Sequence, residues 1–273
     1  MGLYHNAKAF KLPESKAKCA YCSTEYMCAE GPYSICPLCE SIVVPGEKNI
    51  LDPVVASKLG GISQSIAKGA YLEAVENAEQ LCTNADPKVL YALASLYRSL
   101  SDITYLDVDY NMKAFMERNA DNRNDEPKRN KYNAMHLESR NRECLHKSIE
   151  ILELSKASDE NSLFIKAMAE IKLKRYAHAS IILDQQMNTT LAFKYAKMAL
   201  ATETNEKDAE KKINELLRER ELNAVFYAAR HLAMKKEFDS AEKLLDMISS
   251  FIDLPKYNVY KKRIKNVAGA AGI

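Results

Sequence analysis

The sequence predicts a mostly α chain with a small β module at its N-terminal end, and three observations carry that prediction. Residues 18–41 hold two Cys-x-x-Cys pairs, Cys19/Cys22 and Cys36/Cys39, among short stretches of β-forming residues. From Asp52 onward apolar residues recur near a 3.6 period, as in Val55, Leu59, Ile62 and Ile66 and again in Leu90, Leu93, Leu96 and Leu100. Breakers fall mostly between these runs, at Asp86-Pro87, Glu126-Pro127 and Leu254-Pro255. The 273 residues are 47% hydrophobic and 28% charged, ordinary for a chain that buries a sizeable core.

The β module spans residues 1–48. Glu25 to Ala29 reads as a strand, Glu30-Gly31-Pro32 as a turn and Tyr33 to Ile35 as the return strand. Ile42 to Val44 offers a third short strand before Pro45-Gly46 ends it. Two residues between paired thiols let each turn curl so that both sulfurs face one point, and two such turns supply the four thiolates that a tetrahedral zinc ion takes at about 2.3 Å. Cys19, Cys22, Cys36 and Cys39 are therefore the expected ligands of one structural Zn2+ per chain. The spacing resembles the zinc-ribbon and rubredoxin-like family. Iron is the competing metal, but rubredoxin knuckles usually follow the second thiol with glycine, and Ser23 and Glu40 stand there instead. Cys28 is out of phase with both turns and is expected to pack as a small hydrophobe. So few apolar residues surround the site that the module is expected to fold only with its metal, and four thiolates leave no position open for water. A rubrerythrin-like di-iron bundle would need two Glu-x-x-His motifs. The chain has one, Glu143 to His146.

Three later stretches align: Gly69-Ala-Tyr71-Leu-Glu-Ala74, Lys174-Arg-Tyr176-Ala-His-Ala179 and Lys236-Glu-Phe238-Asp-Ser-Ala241. Each sets an aromatic and an alanine on one helical face, and the stripe continues through Ala78 and Leu81, Leu183 and Gln186, and Leu245 and Ile248. This resembles the second helix of a tetratricopeptide repeat. A small residue nine positions before the aromatic belongs to that pattern, and Ala167 and Ala229 match it, with Ile62 beside Gly61 in the first copy. The copies are separated by close to three and two units of the roughly 34-residue period. The resemblance implies a degenerate helical solenoid over residues 49–255 that binds a protein partner along its inner helices. Tyr91, Phe226 and Arg230 are the candidate contacts there. The motif is absent around 102–109, residues 119–131 read as a polar loop, and Lys131 to Leu154 reads as one extended helix.

Charge is balanced globally, 39 basic against 37 acidic residues for a net +2, so any electrostatic argument is local. The tail, residues 256–273, carries Lys261, Lys262, Arg263 and Lys265 with no acidic residue. Lys16 and Lys18 precede the first knuckle, and Tyr21 and Tyr33 offer aromatic faces to unstacked bases. These eight residues are the candidate RNA contacts. No apolar run suggests a signal peptide or membrane span, and an odd count of seven cysteines points to a reducing compartment. A cytoplasmic chain without membrane contact is expected. No Gly-rich phosphate loop, nucleophile with a placed histidine or open metal site is found, so the expected class is a non-enzymatic adaptor. Zinc ribbons recur in ribosomal, transcription and tRNA-modification proteins, which points to a nucleoprotein assembly. The ribosome is the first expectation, with a stress, hibernation or assembly role. A protein-only or self-associating scaffold is the alternative, and rubredoxin-like redox transfer the third reading.

Overall fold

The computed structural model describes residues 15–21, 24–28, 31, 33–43, 51–67, 71–84, 86–98, 126–185, 190–249, 261, 264 and 265. It is mostly helical with a small two-sheet strand region at its N-terminal side. Strand β1 (Ser15–Lys18) pairs antiparallel with β2 (Glu25–Cys28), placing Lys16 opposite Met27 and Lys18 opposite Glu25. Strand β3 (Ser34–Ile35) pairs with β4 (Ile42–Val43). The expected pairing of the 25–29 strand with the 33–35 strand is not among these ladders. Each cysteine turn reverses the chain within a few residues, so the strands flanking the same turn lie nearest and pair. Cys19 N donates to Thr24 O and Cys36 N to Ser41 O, both at 2.9 Å, closing the two tips.

Ten helical segments follow among the described residues: α1 (Pro53–Ala67), α2 (Tyr71–Glu79), α3 (87–98), α4 (Glu126–Leu154), α5 (Glu160–Lys172), α6 (Tyr176–Asp184), α7 (Leu191–Thr204), α8 (Glu206–Arg218), α9 (Leu222–Met234) and α10 (Phe238–Ser249). Their starts are written in short polar side chains. Asp52, Asp86, Asp159 and Asn205 each accept a backbone N–H from the first turn, and Pro87 and Pro127 occupy first-turn positions that need no donor. Residues 126–131, expected as the end of a polar loop, are helical for this reason. Residues 119–125 of that loop and the 102–109 stretch lie outside the described residues.

Four helices end in the same way. Lys156, Lys174, Arg220 and Lys236 have φ of 49°, 62°, 62° and 65°, and at each the chain closes with the paired Schellman bonds, for example Arg175 N to Glu170 O and Lys174 N to Ile171 O. A left-handed residue usually calls for glycine. Here a basic side chain stands at the negative end of the helix dipole instead. Gly69 holds the aligned position of the first copy in sequence and lies outside the described residues.

Neighbouring helices pack as pairs, α1 with α2, α5 with α6, α7 with α8 and α9 with α10, while α5, α7 and α9 also touch one another in succession. The aligned stripes supply the seams: Ala74, Ala78, Ala167, Ala179, Ala229 and Ala241 are fully buried, as are Leu183, Leu245 and Ile248. Small residues there let backbones approach, and the leucines fill what remains. An aromatic row links α3, α5, α7 and α9. Tyr91, Phe164, Tyr195, Tyr227 and Phe226 follow one another at centroid distances of 6.3, 6.3, 6.0 and 5.9 Å in tilted or edge-on geometry. The core is continuous with the strand region through Tyr26, Ile35, Leu38 and Val43. No helix among the described residues is long and apolar enough to cross a membrane.

Candidate metal centre

Cys19, Cys36 and Cys39 are buried, and their sulfurs lie within 4.8 Å of one another. Cys19 Sγ and Cys39 Sγ are 3.7 Å apart. Cys22 lies outside the described residues. Cys28 is not in the cluster; it is buried on β2 opposite Ser15 of β1, whose Oγ donates to the Cys28 carbonyl at 2.9 Å, and its burial agrees with the expected packing role. The three thiols are soft donors with no carboxylate or imidazole in the group, a set that suits a borderline or soft cation. Polar groups already face the sulfurs: Tyr21 N donates to Cys19 Sγ at 3.4 Å, and Ser41 Oγ lies 3.1 Å from Cys39 Sγ. Hydrogen bonds of that kind hold thiolates in place around a metal. The residues present fit a metal ion.

The second knuckle is fastened to the helices through Glu40. This residue takes φ of 57°, the left-handed conformation that glycine usually supplies after the second thiol. A side chain is retained because it is used. Lys172 Nζ approaches Glu40 Oε2 to 2.7 Å with the two side chains 5% and 10% exposed, off the hydrogen-bonding angle at that oxygen, so the contact is a charge pair. Lys172 Nζ also donates to Ser95 Oγ at 3.3 Å. The Glu40 carbonyl accepts from the Tyr91 hydroxyl. Burial, with the Glu40 charge adding to it, pushes the Tyr91 and Tyr195 hydroxyls well above their ordinary pKa, so both stay protonated.

Further contacts reach the other first helices. Thr24 Oγ1 and Ser63 Oγ of α1 are 2.8 Å apart. Ala192 N of α7 donates to the Tyr33 hydroxyl at 3.4 Å, and Asn223 Nδ2 of α9 to Ile35 O at 3.5 Å. The strand module thus lies against α1, α3, α5, α7 and α9, the odd members of the helical series. Glu221 caps α9 beside it, accepting from Asn223 N at 3.1 Å, and burial raises its carboxyl to about 7.

The remaining candidates distribute as follows. Lys16 and Lys18 are exposed on β1, which pairs with β2 alone among the described residues. Tyr21 and Tyr33 are half-buried on the core. Lys261 is ion-paired with Asp246 of α10, and Lys265 with Glu242 at 2.8 Å. Lys262 and Arg263 lie outside the described residues. Tyr91 is buried under the knuckle. Phe226 is half-buried edge-on to Tyr227, and Arg230 pairs with Glu203 at 2.9 Å. Sequence reasoning gave no role at the site to Lys172, Asn223 or Glu221, and used Glu40 only to favour zinc over iron. Only Glu40 carried a signal, as a charged residue in a glycine place. Compared with protein-family models, curated proteins and solved structures, the chain matches none.

Proposed function

We propose that this chain is a non-enzymatic docking protein: a zinc ribbon seated on a tetratricopeptide-like helical array, which binds a large RNA–protein assembly, the ribosome foremost. The observation that carries the reading is the orientation of the cysteine cluster. Its second knuckle faces inward, held by Glu40 to Tyr91 and Lys172, which suits a structural ion. Strand β1 of the module carries Lys16 and Lys18 two residues apart with no ion pair among the described residues. Successive same-face ammonium groups on a strand match the spacing of backbone phosphates and need no base-specific contact.

The test is RNA binding measured across salt concentration. Reversing Lys16 and Lys18 to Glu together should weaken binding and lower the salt slope by roughly 1.4–1.8, the release of two counterions. An unchanged slope would refute this strand as the contact. A second reading, a scaffold that binds protein alone, is favoured by the pairing of Lys261 and Lys265 with α10 carboxylates, which spends tail charge within the chain. It predicts a partner retained after nuclease treatment.

A further inference from the structure

Outside the metal cluster, Cys82 and Cys144 come together from positions 62 residues apart, with their sulfurs at 3.0 Å. Cys82 lies in the turn after α2 and Cys144 in the middle of α4. The contact belongs to a seam. Arg140, Cys144 and Lys147 fall on one face of α4 at four- and three-residue spacing. Arg140 Nε lies 3.3 Å from Glu79 Oε1, and Lys147 Nζ donates to the Cys82 carbonyl. Both thiols are free, Cys82 half-buried and within reach of solvent, Cys144 buried behind it. The seam therefore holds one half-buried sulfur against one buried sulfur, on two segments that the Arg140–Glu79 and Lys147–Cys82 contacts also join.

We infer that Cys82 and Cys144 form a peroxide-responsive dithiol that closes a disulfide between the end of α2 and α4. In the first step the Cys82 thiolate attacks one oxygen of hydrogen peroxide. The O–O bond breaks, hydroxide leaves and is protonated to water, and Cys82 becomes a sulfenic acid. Cys144 sulfur then attacks Cys82 sulfur, its proton goes to the departing hydroxyl, the S–O bond breaks and a second water leaves. Two thiols lose two electrons and two protons to one peroxide, with no other reactant. The division of labour follows from the surroundings. Hydrogen bonding with Cys144 and Tyr97 together with the Lys147 charge lowers Cys82 to about 7, while the same contact and burial raise Cys144. The half-buried sulfur is thus the attacking one, and the buried sulfur resolves it.

The test uses the full chain with its metal bound, treated with a small excess of hydrogen peroxide, quenched with iodoacetamide and digested without reductant. The expected product is a cross-linked peptide pair containing Cys82 and Cys144, lighter by two hydrogen atoms than the two thiol peptides and split by dithiothreitol. In untreated protein, alkylation of Cys82 should be half-maximal near pH 7. In Cys144→Ser the resolving thiol is gone, so Cys82 should be trapped by a sulfenic-acid reagent. Recovery of Cys82 as thiol, or as sulfinic acid without the cross-link, while the metal-cluster cysteines oxidise would overturn the inference. So would a cross-link that forms only in denaturant. The peptide map is read on the native sequence, so it stands whether or not the variant folds.

Discussion

Replacing Lys172 by Met removes the cation facing Glu40 while keeping the aliphatic stem. The pair is nearly dry, with 5% and 10% side-chain exposure and 2.7 Å between Nζ and Oε2. Removing one partner of a buried pair costs about 3–5 kcal/mol, whereas neutralising both with groups of similar shape is close to neutral. Loss of the contact to Ser95 Oγ adds up to about 1 kcal/mol. Lys172→Met should therefore lose at least about 3 kcal/mol, roughly 6–12 °C in Tm for a chain of this size. Glu40→Gln should lose a comparable amount, and the double variant much less than the sum, giving a coupling of at least about 2 kcal/mol. The assay is urea unfolding at neutral pH with the metal retained, followed by helical circular dichroism. A Lys172→Met cost below about 1 kcal/mol together with additive double-variant behaviour would refute the claim that a dry charge pair locks the knuckle to α5.

Burial raises the Glu221 carboxyl from 4.5 to about 7. The folded chain then binds this proton more tightly than the unfolded chain, so the group's contribution is full below about 4.5 and is lost as pH rises through 7. Glu221→Gln keeps the cap acceptor and should flatten that fall, gaining roughly 3 kcal/mol relative to the parent at pH 8 over pH 4.5. Parallel stability–pH curves would contradict it. Lys174→Gly and Lys236→Gly relieve left-handed backbone at exposed turns and should each raise stability by up to about 1 kcal/mol, read as a higher Tm. A loss at both sites would mean that the cation–dipole contact outweighs the strain. Cys36→Ser should lower metal occupancy more than roughly tenfold, by inductively coupled plasma analysis of the purified chain. It should also abolish the near-ultraviolet signal of Tyr26 and Tyr33 while leaving most helical signal. Full occupancy in the variant would remove Cys36 from the ligand set.

The meeting of Cys19, Cys36 and Cys39 was legible because thiolate ligation imposes a spacing that little else does. Strand pairing around them was not, because strands of two and four residues carry no periodic signal and pair by proximity across their own turn. The stripes at Ala74, Ala179 and Ala241 were legible because a helix face repeats small residues where backbones meet. The α7–α8 pair escaped the same search: Ala209 keeps the buried alanine, but Glu206 stands where the aligned copies have Tyr71, Tyr176 and Phe238. The helix ends at Lys174, Arg220 and Lys236 were hidden because the residue type gives no hint of positive φ. Lys172 and Asn223 lie far along the chain from the knuckle they hold, and the approach of Cys82 to Cys144 likewise depends on packing of distant elements. No local pattern records such contacts.

Density-gradient sedimentation of the protein in lysate of its source cell, with and without ribonuclease, tests the docking reading most directly. The account predicts co-migration with ribosomal particles that collapses on nuclease treatment and is reduced when Lys16 and Lys18 are reversed to Glu. Protein that remains at the top of the gradient in every sample, or a fast-sedimenting complex indifferent to nuclease, would contradict it.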